Sequence, residues 1–564
     1  MTLSRWRQCL RFPRLGLVLL LAGAPAPASA AAPASAAAPA AAPNIVLIMT
    51  DDQGYGDLGC TGNPTIKTPH IDRLAAESSQ LIDYHVAPTC SPTRAALLTG
   101  HWTDRTGVWH TVNGRSMLRE NEVTIAQMLK ERGYATGIFG KWHLGDNAPM
   151  RPMDKGFDEA LWNKGGGITQ PCDPEGNSYT DPVLYRGARA EKQKGYVTDV
   201  ITDAALAFME RNRTRPFFLY HATVAPHTPL EVPDAWVEPY RKAGLDEETA
   251  RVYAMVENID TNVGRLLHGI REMGMDRETL VVFVGDNGPA HPRFNGGLRG
   301  LKGGPYEGGV RVPCLVRWPG SVPPSVIDTA GANVDLAPTL LQMAGARPPE
   351  GLRLDGRSLA PLLRGERPPW PERTLFYQWH RGDEPRRGEG YCAIGSRYKL
   401  VNGTEMYDLA SDPAETRNLA AEMPDRAADL RKQYNAWFDD VSSQGYDPPR
   451  ILIGSSREPV STLTRQDFRG PAASWAEGAV GYWEVEAAER TRVDVRVALW
   501  PITTTGRVTL RLGGVERTAH ARPGASTSTL RGIDLPAGPT RLEAWCEADG
   551  KTQGARYVVV RRRP

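Results

Sequence analysis

Cysteine is scarce in this chain of 564 residues. Of its seven cysteines, Cys9 lies near the N-terminus and six are scattered over the rest of the sequence: Cys60, Cys90, Cys172, Cys314, Cys392 and Cys546. This spacing excludes the disulfide framework of small secreted domains. A chain of this length buries enough core to fold without crosslinks. For Cys60 and Cys172, three alternatives stay open: a disulfide, extra pocket residues or inert thiols.

Long apolar runs are absent after the first thirty residues. The run LGLVLLLAGA follows four arginines and ends in APASA, where Ala28 and Ala30 have the spacing of a signal-peptidase site. It is shorter than the roughly 20 apolar residues of a spanning helix. We therefore expect residues 1–30 to be a secretory signal for a periplasmic or secreted protein with no integral membrane segment. An uncleaved anchor is the alternative. Residues 31–43, rich in Ala and Pro, should form a flexible linker.

The sequence also lacks an excess of charge of either sign. It has 67 basic and 65 acidic side chains, and loss of four arginines with the signal leaves 63 basic ones and a net charge of −2. Because there is no general positive field, nucleic acid is not an expected partner. A local positive pocket for a small anion is compatible with this balance.

From residue 44 to about 370, short apolar runs alternate with helical stretches. The runs IVLIM, ATGIF, FFLYH and LVVFV resemble buried strands. Between them lie IDRLAAES, VTIAQMLKERG and TDVITDAALAFMERN, of which the last two place apolar residues three and four apart. This alternation is typical of an α/β fold with a mostly parallel central sheet flanked by helices. We predict one α/β domain over residues 44–370.

Two further regions follow this domain. Residues 371–442 combine strand-like runs such as TLFYQWH with the helical stretch DRAADLRKQYNAWFDDV, which predicts a small antiparallel sheet with a helix, an α+β subdomain. In residues 450–564 helical periodicity gives way to alternation, as in VDVRVALW and RVTLRL, with Gly and Pro turns between. A terminal β-sandwich of roughly a hundred residues is predicted there.

Oxygen-bearing side chains follow two of the predicted strands. Asp51 and Asp52 come directly after IVLIMT, and Asp286 and Asn287 come directly after LVVFVG. Carboxyl ends of parallel strands share one edge of a sheet, where ligands bind. Three carboxylates and an amide suit a hard cation such as Ca²⁺ or Mg²⁺. Turn formation and helix capping are the alternative for each pair, but two pairs together favour a metal.

Cationic residues lie near the same predicted edge. Lys141 and His143 are two apart, so that in an extended segment their side chains would point to one side. His227 and Lys302 come from other segments. A lone histidine is usually structural, whereas two histidines and two lysines beside an acidic metal site indicate receptors for an anionic substrate, with the histidines available for proton transfer.

The stretch PTCSPTRAALLTG places a cysteine where a helix should begin. Pro92 suits the first turn, Arg94 lies one turn beyond Cys90, and Gly100 is positioned to end the helix. A thiol at a helix N-terminus beside a cation is expected to have a lowered pKa and to be reactive. A buried, inert cysteine is the alternative, and the pattern C-x-P-x-R makes it the weaker one.

Taken together, these motifs identify a family. CSPTR followed by AALLTG, with NIVLIMTDDQGYGD, GKWHLG, APHTP, GDNG and LKGGPYEGGVRVPCLVRWPG, resembles the type I sulfatases, relatives of arylsulfatase A in the alkaline phosphatase superfamily. The similarity covers residues 44–442, with the motifs in the expected order. It implies an alkaline phosphatase-like fold and a sulfuric ester hydrolase.

The resemblance implies an unusual nucleophile. In this family a maturation enzyme oxidises the cysteine of C-x-P-x-R to Cα-formylglycine, whose hydrated aldehyde attacks sulfur, and this role falls on Cys90. The metal, usually Ca²⁺ in relatives, would be held by the modified residue and by four further side chains: Asp51, Asp52, Asp286 and Asn287.

The same resemblance assigns the other polar residues. Arg94 would hold the modified residue and balance the carboxylates, while Lys141 and Lys302 would bind sulfate oxygens. His227, with or without Lys302, would protonate the departing alcohol. His143 would take a proton from the second hydroxyl of the aldehyde hydrate, so that sulfate is expelled and the aldehyde restored.

The substrate beyond a sulfate ester is less defined. Export and the appended sandwich favour a sulfated carbohydrate, and segments 163–186 and 289–299 are long and polar enough to line a substrate pocket, or to be plain surface loops. Two alternatives stay open. One is a phosphonate or phosphate monoester hydrolase of the same superfamily, and the other is a non-catalytic carbohydrate-binding protein.

Overall fold

The computed structural model describes residues 42–563. The predicted signal at 1–30 and most of the linker at 31–43 therefore lie outside the described residues. Over residues 42–563 no helix combines the length and apolar character needed to cross a membrane. The first twelve strands are β1 (Asn44–Thr50), β2 (Ser79–Leu81), β3 (Tyr84–His85), β4 (Ala135–Lys141), β5 (Glu159–Asn163), β6 (Val183–Arg186), β7 (Arg189–Lys192), β8 (Phe217–Ala222), β9 (Thr279–Gly285), β10 (Cys314–Arg317), β11 (Ser325–Ile327) and β12 (Gly331–Ala332).

Within the described range 42–563, nine helices accompany these strands. They are α1 (Pro69–Ala76), α2 (Cys90–Thr99), α3 (Ile125–Lys130), α4 (Val197–Arg211), α5 (Asp234–Lys242), α6 (Glu247–Glu272), α7 (Glu307–Val310), α8 (Leu336–Met343) and α9 (Ala360–Leu363). The helix predicted from VTIAQMLKERG is shorter than the sequence suggested. It begins after Thr124, which forms a capping box with Gln127, and the chain then turns at Gly133 with φ 82°.

The central sheet has ten strands in the order β11-β2-β10-β9-β1-β8-β4-β5-β6-β7. Its middle is parallel, because β1 pairs with β8 and β9, and β4 pairs with β8 and β5, all in parallel register. Antiparallel pairs join β10 to β9 and β6 to β5. The predicted mostly parallel sheet is confirmed, and the four runs predicted as strands are its neighbours β9, β1, β8 and β4.

Both faces of this sheet are covered. Every residue of β1 is buried, and its side chains alternate between two apolar clusters: Leu47 packs with α2, α3 and α8, whereas Val46 packs with α1, α4 and α6. A parallel strand that is buried on both faces has apolar residues at every position, which explains why the sequence IVLIM in β1 is continuously apolar. The sheet is thereby fixed between two helical layers, with one edge left for the polar strand ends.

The rest of the chain adds two smaller β-structures. An antiparallel sheet is formed by β13 (Leu375–Gln378), β14 (Tyr391–Ile394), β15 (Tyr398–Val401) and β16 (Glu405–Asp408), and α10 (Pro424–Val441) packs on it. Two further sheets contain β17 (Ile451–Leu452), β18 (Val460–Thr464), β19 (Tyr482–Ala487), β20 (Thr491–Ala498), β21 (Gly506–Leu512), β22 (Val515–Ala521), β23 (Thr527–Leu535), β24 (Gly538–Ala548), β25 (Lys551–Gly554) and β26 (Tyr557–Arg562).

The last two sheets share one apolar core, as a β-sandwich requires. Met117 and Met150, which precede the sandwich by some three hundred residues in sequence, are also buried in this core. Leu452 donates a backbone hydrogen bond to the Ala148 carbonyl, at 2.8 Å. The sandwich is therefore packed directly against the α/β part. The exact domain boundaries at 370, 442 and 450 stay predictions.

Candidate active site

The four predicted oxygen ligands meet at the carboxyl edge of the central sheet. Asp51 and Asp52 follow β1, and Asp286 and Asn287 follow its parallel neighbour β9. The backbone amide of Asp52 donates to Asp286 Oδ1 at 3.1 Å, and Asn287 Nδ2 donates to Asp52 Oδ1 at 2.8 Å. The sheet topology alone brings together residues more than 230 positions apart.

The chemistry of this cluster fits a hard cation. Asp51 Oδ1 and Asn287 Oδ1 are buried, and neither has a hydrogen-bond partner within residues 42–563. One ligand atom each from Asp51, Cys90 and Asp286 lies within 4.8 Å of the others. Burial, and then the nearby Asp51 carboxylate, raise the pKa of Asp286. Crowded carboxylates beside unpartnered oxygens are what a bound Ca²⁺ or Mg²⁺ would stabilise.

Cys90 is the first residue of α2, and the predicted helix is confirmed. Thr89 is extended, and Gly100 ends the helix in the left-handed region at φ 75°. The expected lowered thiol pKa is wrong. Burial raises the pKa of Cys90, although Lys141 and Lys302 oppose the shift, because the side chain is enclosed in a helix whose ten residues are all buried. As a thiol, Cys90 would be a poor nucleophile.

Arg94 pairs with the Asp286 carboxylate of the acidic cluster. Its Nε and Nη2 donate to Asp286 Oδ2 at 3.1 and 2.7 Å, and its Nη1 donates to the Lys141 carbonyl and to Tyr220 Oη, both at 3.2 Å. Arg94 is fully buried, which opposes its charge, yet Tyr220 and Asp286 raise its pKa. It therefore remains a cation that ties α2 to the ends of β4, β8 and β9.

Each predicted lysine contacts one carboxylate. Lys141 Nζ lies 2.5 Å from Asp51 Oδ2, and Lys302 Nζ lies 2.6 Å from Asp52 Oδ1. Burial opposes the charge on Lys302, but Asp52 raises its pKa, so the ammonium group persists. With Arg94, three cations then balance three carboxylates, and a further divalent cation would leave the site positive and suited to an anionic substrate.

His143 contacts Cys90, although not by the predicted geometry. The strand ends at Lys141, and His143 adopts φ 59°, so the segment is not extended there. His143 Nε2 lies 2.8 Å from the Thr111 carbonyl and donates to it, which leaves the Nδ1 lone pair 3.4 Å from Cys90 Sγ. Burial and Lys141 lower the pKa of His143. A neutral imidazole with a free nitrogen toward position 90 can accept a proton.

His227 lies beside Asp52 in the acidic cluster. Its Nδ1 donates to the Thr228 carbonyl at 2.6 Å, and its Nε2 is 3.9 Å from Asp52 Oδ2. Burial and then Lys302 lower the pKa of His227 to about 3. The imidazole is therefore neutral in the free protein, and because Nδ1 carries the proton donated to Thr228, Nε2 has a free lone pair.

A glycine run that sequence reasoning did not single out covers both histidines. A Cβ on Gly166 would lie 2.2 Å from His143 Cε1, and one on Gly167 would lie 3.0 Å from His227 Nδ1. Only glycine permits this approach. The start of segment 163–186 thus forms a wall of the site. The run GGG, one residue beyond the end of β5, was the available signal.

In segment 289–299, Arg293 contacts the loop that carries Asp52. Arg293 is almost fully buried and donates to Asp57 Oδ2 at 2.6 Å and to the Asp52 carbonyl at 2.8 Å. Its charge is therefore used to hold the Asp52 loop and is not offered to substrate. Cys60 and Cys172 are both free thiols, so the disulfide alternative is wrong.

The sandwich also reaches this site. Gln466, in a 3-10 turn at Arg465–Asp467, donates from Nε2 to the Thr111 carbonyl at 3.0 Å. The same carbonyl accepts from His143. No sequence pattern marks Gln466, because its importance depends on a contact between segments 355 residues apart.

Comparison with known proteins is consistent with this geometry. Residues 43–346 match the Sulfatase family, and residues 302–442 match the family described as N-sulphoglucosamine sulphohydrolase, C-terminal. Arylsulfatase A of Homo sapiens is 36% identical over 451 residues, covering 73% of this chain and 85% of the relative. N-acetylgalactosamine-6-sulfatase of Sus scrofa is 34% identical over 411 residues, covering 67% and 73%.

Comparison with a solved structure also shows similarity to a known protein over most of the chain. The structure of Ps i-CgsB in complex with k-i-k-neocarrahexaose superposes with a TM-score of 0.65 at 28% sequence identity, covering 74% of this chain and 96% of that one. The fold, the order of the motifs and the relatives agree. The chain belongs to the sulfatase family of the alkaline phosphatase superfamily and is a sulfuric ester hydrolase.

Proposed function

We propose that this protein removes sulfate from sulfated carbohydrates, with formylglycine at position 90 as its nucleophile. The observation that supports the mechanism best is the placement of Cys90 Sγ, 3.4 Å from His143 Nδ1 and grouped with Asp51 and Asp286. Two similar proteins support a carbohydrate substrate. One is named N-acetylgalactosamine-6-sulfatase, and the other, Ps i-CgsB, was solved in complex with k-i-k-neocarrahexaose.

In this proposal the metal is Ca²⁺, with Mg²⁺ as the alternative. Its ligands would be the residue at position 90 and four side chains: Asp51, Asp52, Asp286 and Asn287. When bound, the cation would acidify the hydroxyl of the hydrated aldehyde and polarise the sulfate ester. With the carboxylates engaged as ligands, the ammonium groups of Lys141 and Lys302 are available to sulfate oxygens and stabilise the charge that grows on them.

The two histidines divide the proton transfers. His143 accepts a proton at Nδ1 from position 90, because its other nitrogen is committed to the Thr111 carbonyl. His227 protonates the departing alcohol from Nε2. Its pKa is low in the free protein, and the negative charge of a bound sulfate raises it, so substrate binding itself prepares the acid.

Maturation and export complete the proposal. A formylglycine-generating enzyme would be a transient partner that acts on CSPTR, and residues 1–30 would direct the chain to the periplasm or the medium. N-terminal sequencing of the protein recovered from those fractions should show cleavage after Ala30. A mature protein that retains residues 1–30 would contradict this assignment.

Mass spectrometry and a substrate screen test the function. The tryptic peptide containing position 90 should be about 18 Da lighter than its cysteine form. The matured protein should release sulfate from sulfated mono- and oligosaccharides, whereas Cys90→Ser should not. Activity from a preparation with wholly unmodified cysteine would refute the mechanism. Faster turnover of matched aryl phosphonate or phosphate esters would refute sulfate ester hydrolysis as the main activity.

A further inference from the structure

The candidate site meets solvent on the side of His227 and Lys302. The side chains of Lys141 and Arg94 are fully buried, whereas those of Lys302 and His227 are 20% and 12% exposed. A substrate therefore enters beside these two residues. Groups that adjoin Lys302 on its outer side are placed to touch whatever part of the substrate extends beyond the reacting sulfate.

An aromatic wall stands next to Lys302. A Cβ on Gly303, the following residue, would lie 3.8 Å from the indole of Trp379, which comes directly after β13. The His110 ring meets this indole edge to face, with ring centroids 5.4 Å apart. Indole faces are a common stacking surface for the apolar side of a sugar ring.

A cation without an acidic partner lies on this wall. The Arg381 guanidinium is 5.1 Å from the centre of the Trp379 ring, and the residue is exposed. Within residues 42–563 no carboxylate lies in salt-bridge distance of Arg381. Two neighbouring arginines differ: Arg115 is paired with Asp383, and Arg386 lies 3.9 Å from Glu389.

The surroundings of His110 report the same excess of positive charge. Burial, followed by Arg115, Arg381, His380 and Lys302, lowers the pKa of His110 to about 3. None of the five main causes is an acidic group. Beside this region lies a surface hollow of about 550 Å³, whose charged lining residues are Arg115, Arg381, Asp383, Glu384 and Arg386. That volume is within the range of small-ligand sites.

We propose that Trp379, His110 and Arg381 form a subsite that binds the sugar next to the one being desulfated and pairs Arg381 with an acidic group on that neighbouring sugar. This inference rests on the proposed function. It narrows the substrate class to glycans that carry more than one anionic group. An aryl or steryl monosulfate would offer Arg381 no partner.

The test compares oligosaccharides with monosaccharides. Oligosaccharides from sulfated galactans and from sulfated hexosamine–uronate polymers are assayed beside the monosulfated monosaccharide of each series, with matured protein. We expect the wild type to favour an oligosaccharide by tenfold or more in kcat/KM. Arg381→Ala should lower this ratio about tenfold, and Arg381→Lys should keep most of it, because the cation is retained.

Arg387→Ala is the matched control, since this exposed arginine of the same segment is paired with Asp439, does not line the hollow and should leave the ratio unchanged. Melting temperatures of all variants confirm folding. An unchanged ratio in Arg381→Ala, or no preference in the wild type, would overturn the subsite while leaving sulfate release intact. Failure of the matured wild type to release sulfate from any carbohydrate would overturn both the subsite and the proposed carbohydrate substrate.

Discussion

Gln466 and His143 donate to the same acceptor, the Thr111 carbonyl oxygen, from distances of 3.0 and 2.8 Å. The terminal sandwich thus helps to hold the Thr111 carbonyl in place. This carbonyl in turn determines which nitrogen of His143 faces position 90. The sandwich is therefore a structural part of the candidate active site.

Removing the Gln466 amide should therefore lower turnover. In Gln466→Leu the Thr111 carbonyl loses one donor, and we expect kcat to fall about fivefold with little change in KM, in keeping with about 1 kcal/mol for a hydrogen bond. Gln466→Glu should lose as much, because a carboxylate cannot donate. Steady-state kinetics with an aryl sulfate measures this effect. A normal kcat in both variants would contradict the positioning role.

Gly166 should tolerate no side chain. In Gly166→Ala the new methyl group would overlap the His143 ring, so the ring must move away from Cys90. Misplacement of a reacting group by about 1 Å can cost 100-fold in rate, and we expect a loss of that order in kcat. Gly395→Ala is the control, because its Cβ would meet its nearest neighbour at 3.4 Å. Equal kcat values for the two variants would contradict the prediction, because they would show that the chain at Gly166 can move away from His143.

Asp286 pairs with Arg94, and in the proposed site it also holds the metal; its substitutions should separate these two roles. In Asp286→Ala the buried Arg94 guanidinium loses its carboxylate partner, which should cost about 3–5 kcal/mol of unfolding free energy and all turnover. Asp286→Asn should be equally inactive but more stable, since the amide oxygen still accepts from Arg94.

Denaturant unfolding and sulfate release measure these two effects separately. Asp534→Ala, which breaks an exposed ion pair with Arg492, should change the unfolding free energy by less than about 1 kcal/mol. Substantial activity in Asp286→Asn would remove Asp286 from the ligand set.

Asp104 should make stability depend on pH. It is fully buried, and burial raises its pKa from 3.8 to about 7. Between these values the folded protein holds a proton that the unfolded chain has lost, so stability should fall as pH rises from about 4 to 7, by up to about 4 kcal/mol. In Asp104→Asn the part of the pH dependence of stability that comes from this carboxyl group should be absent. Urea unfolding of both proteins at several pH values is the measurement, and parallel curves would contradict it.

The sequence is informative where function depends on the ends of regular strands. Asp51 and Asp286 follow unmistakable buried runs, and the pairing rules of parallel sheets bring such ends together. The raised pKa of Cys90 could not be read in the same way, because helix position predicts one direction and enclosure by distant segments imposes the other. Gln466 and Trp379 could not be identified from the sequence either, because their contacts with Thr111 and His110 join segments far apart in the chain.

The burial of α2 has a consequence for how an active molecule is made. Cys90 is 1% exposed, and all ten residues of its helix are enclosed. An oxidising enzyme must take this stretch into its own cleft, so in the proposed pathway it works on the nascent or unfolded chain. Each molecule can then be modified only before it folds. The specific activity of a preparation therefore depends on the fraction of chains that were modified before folding.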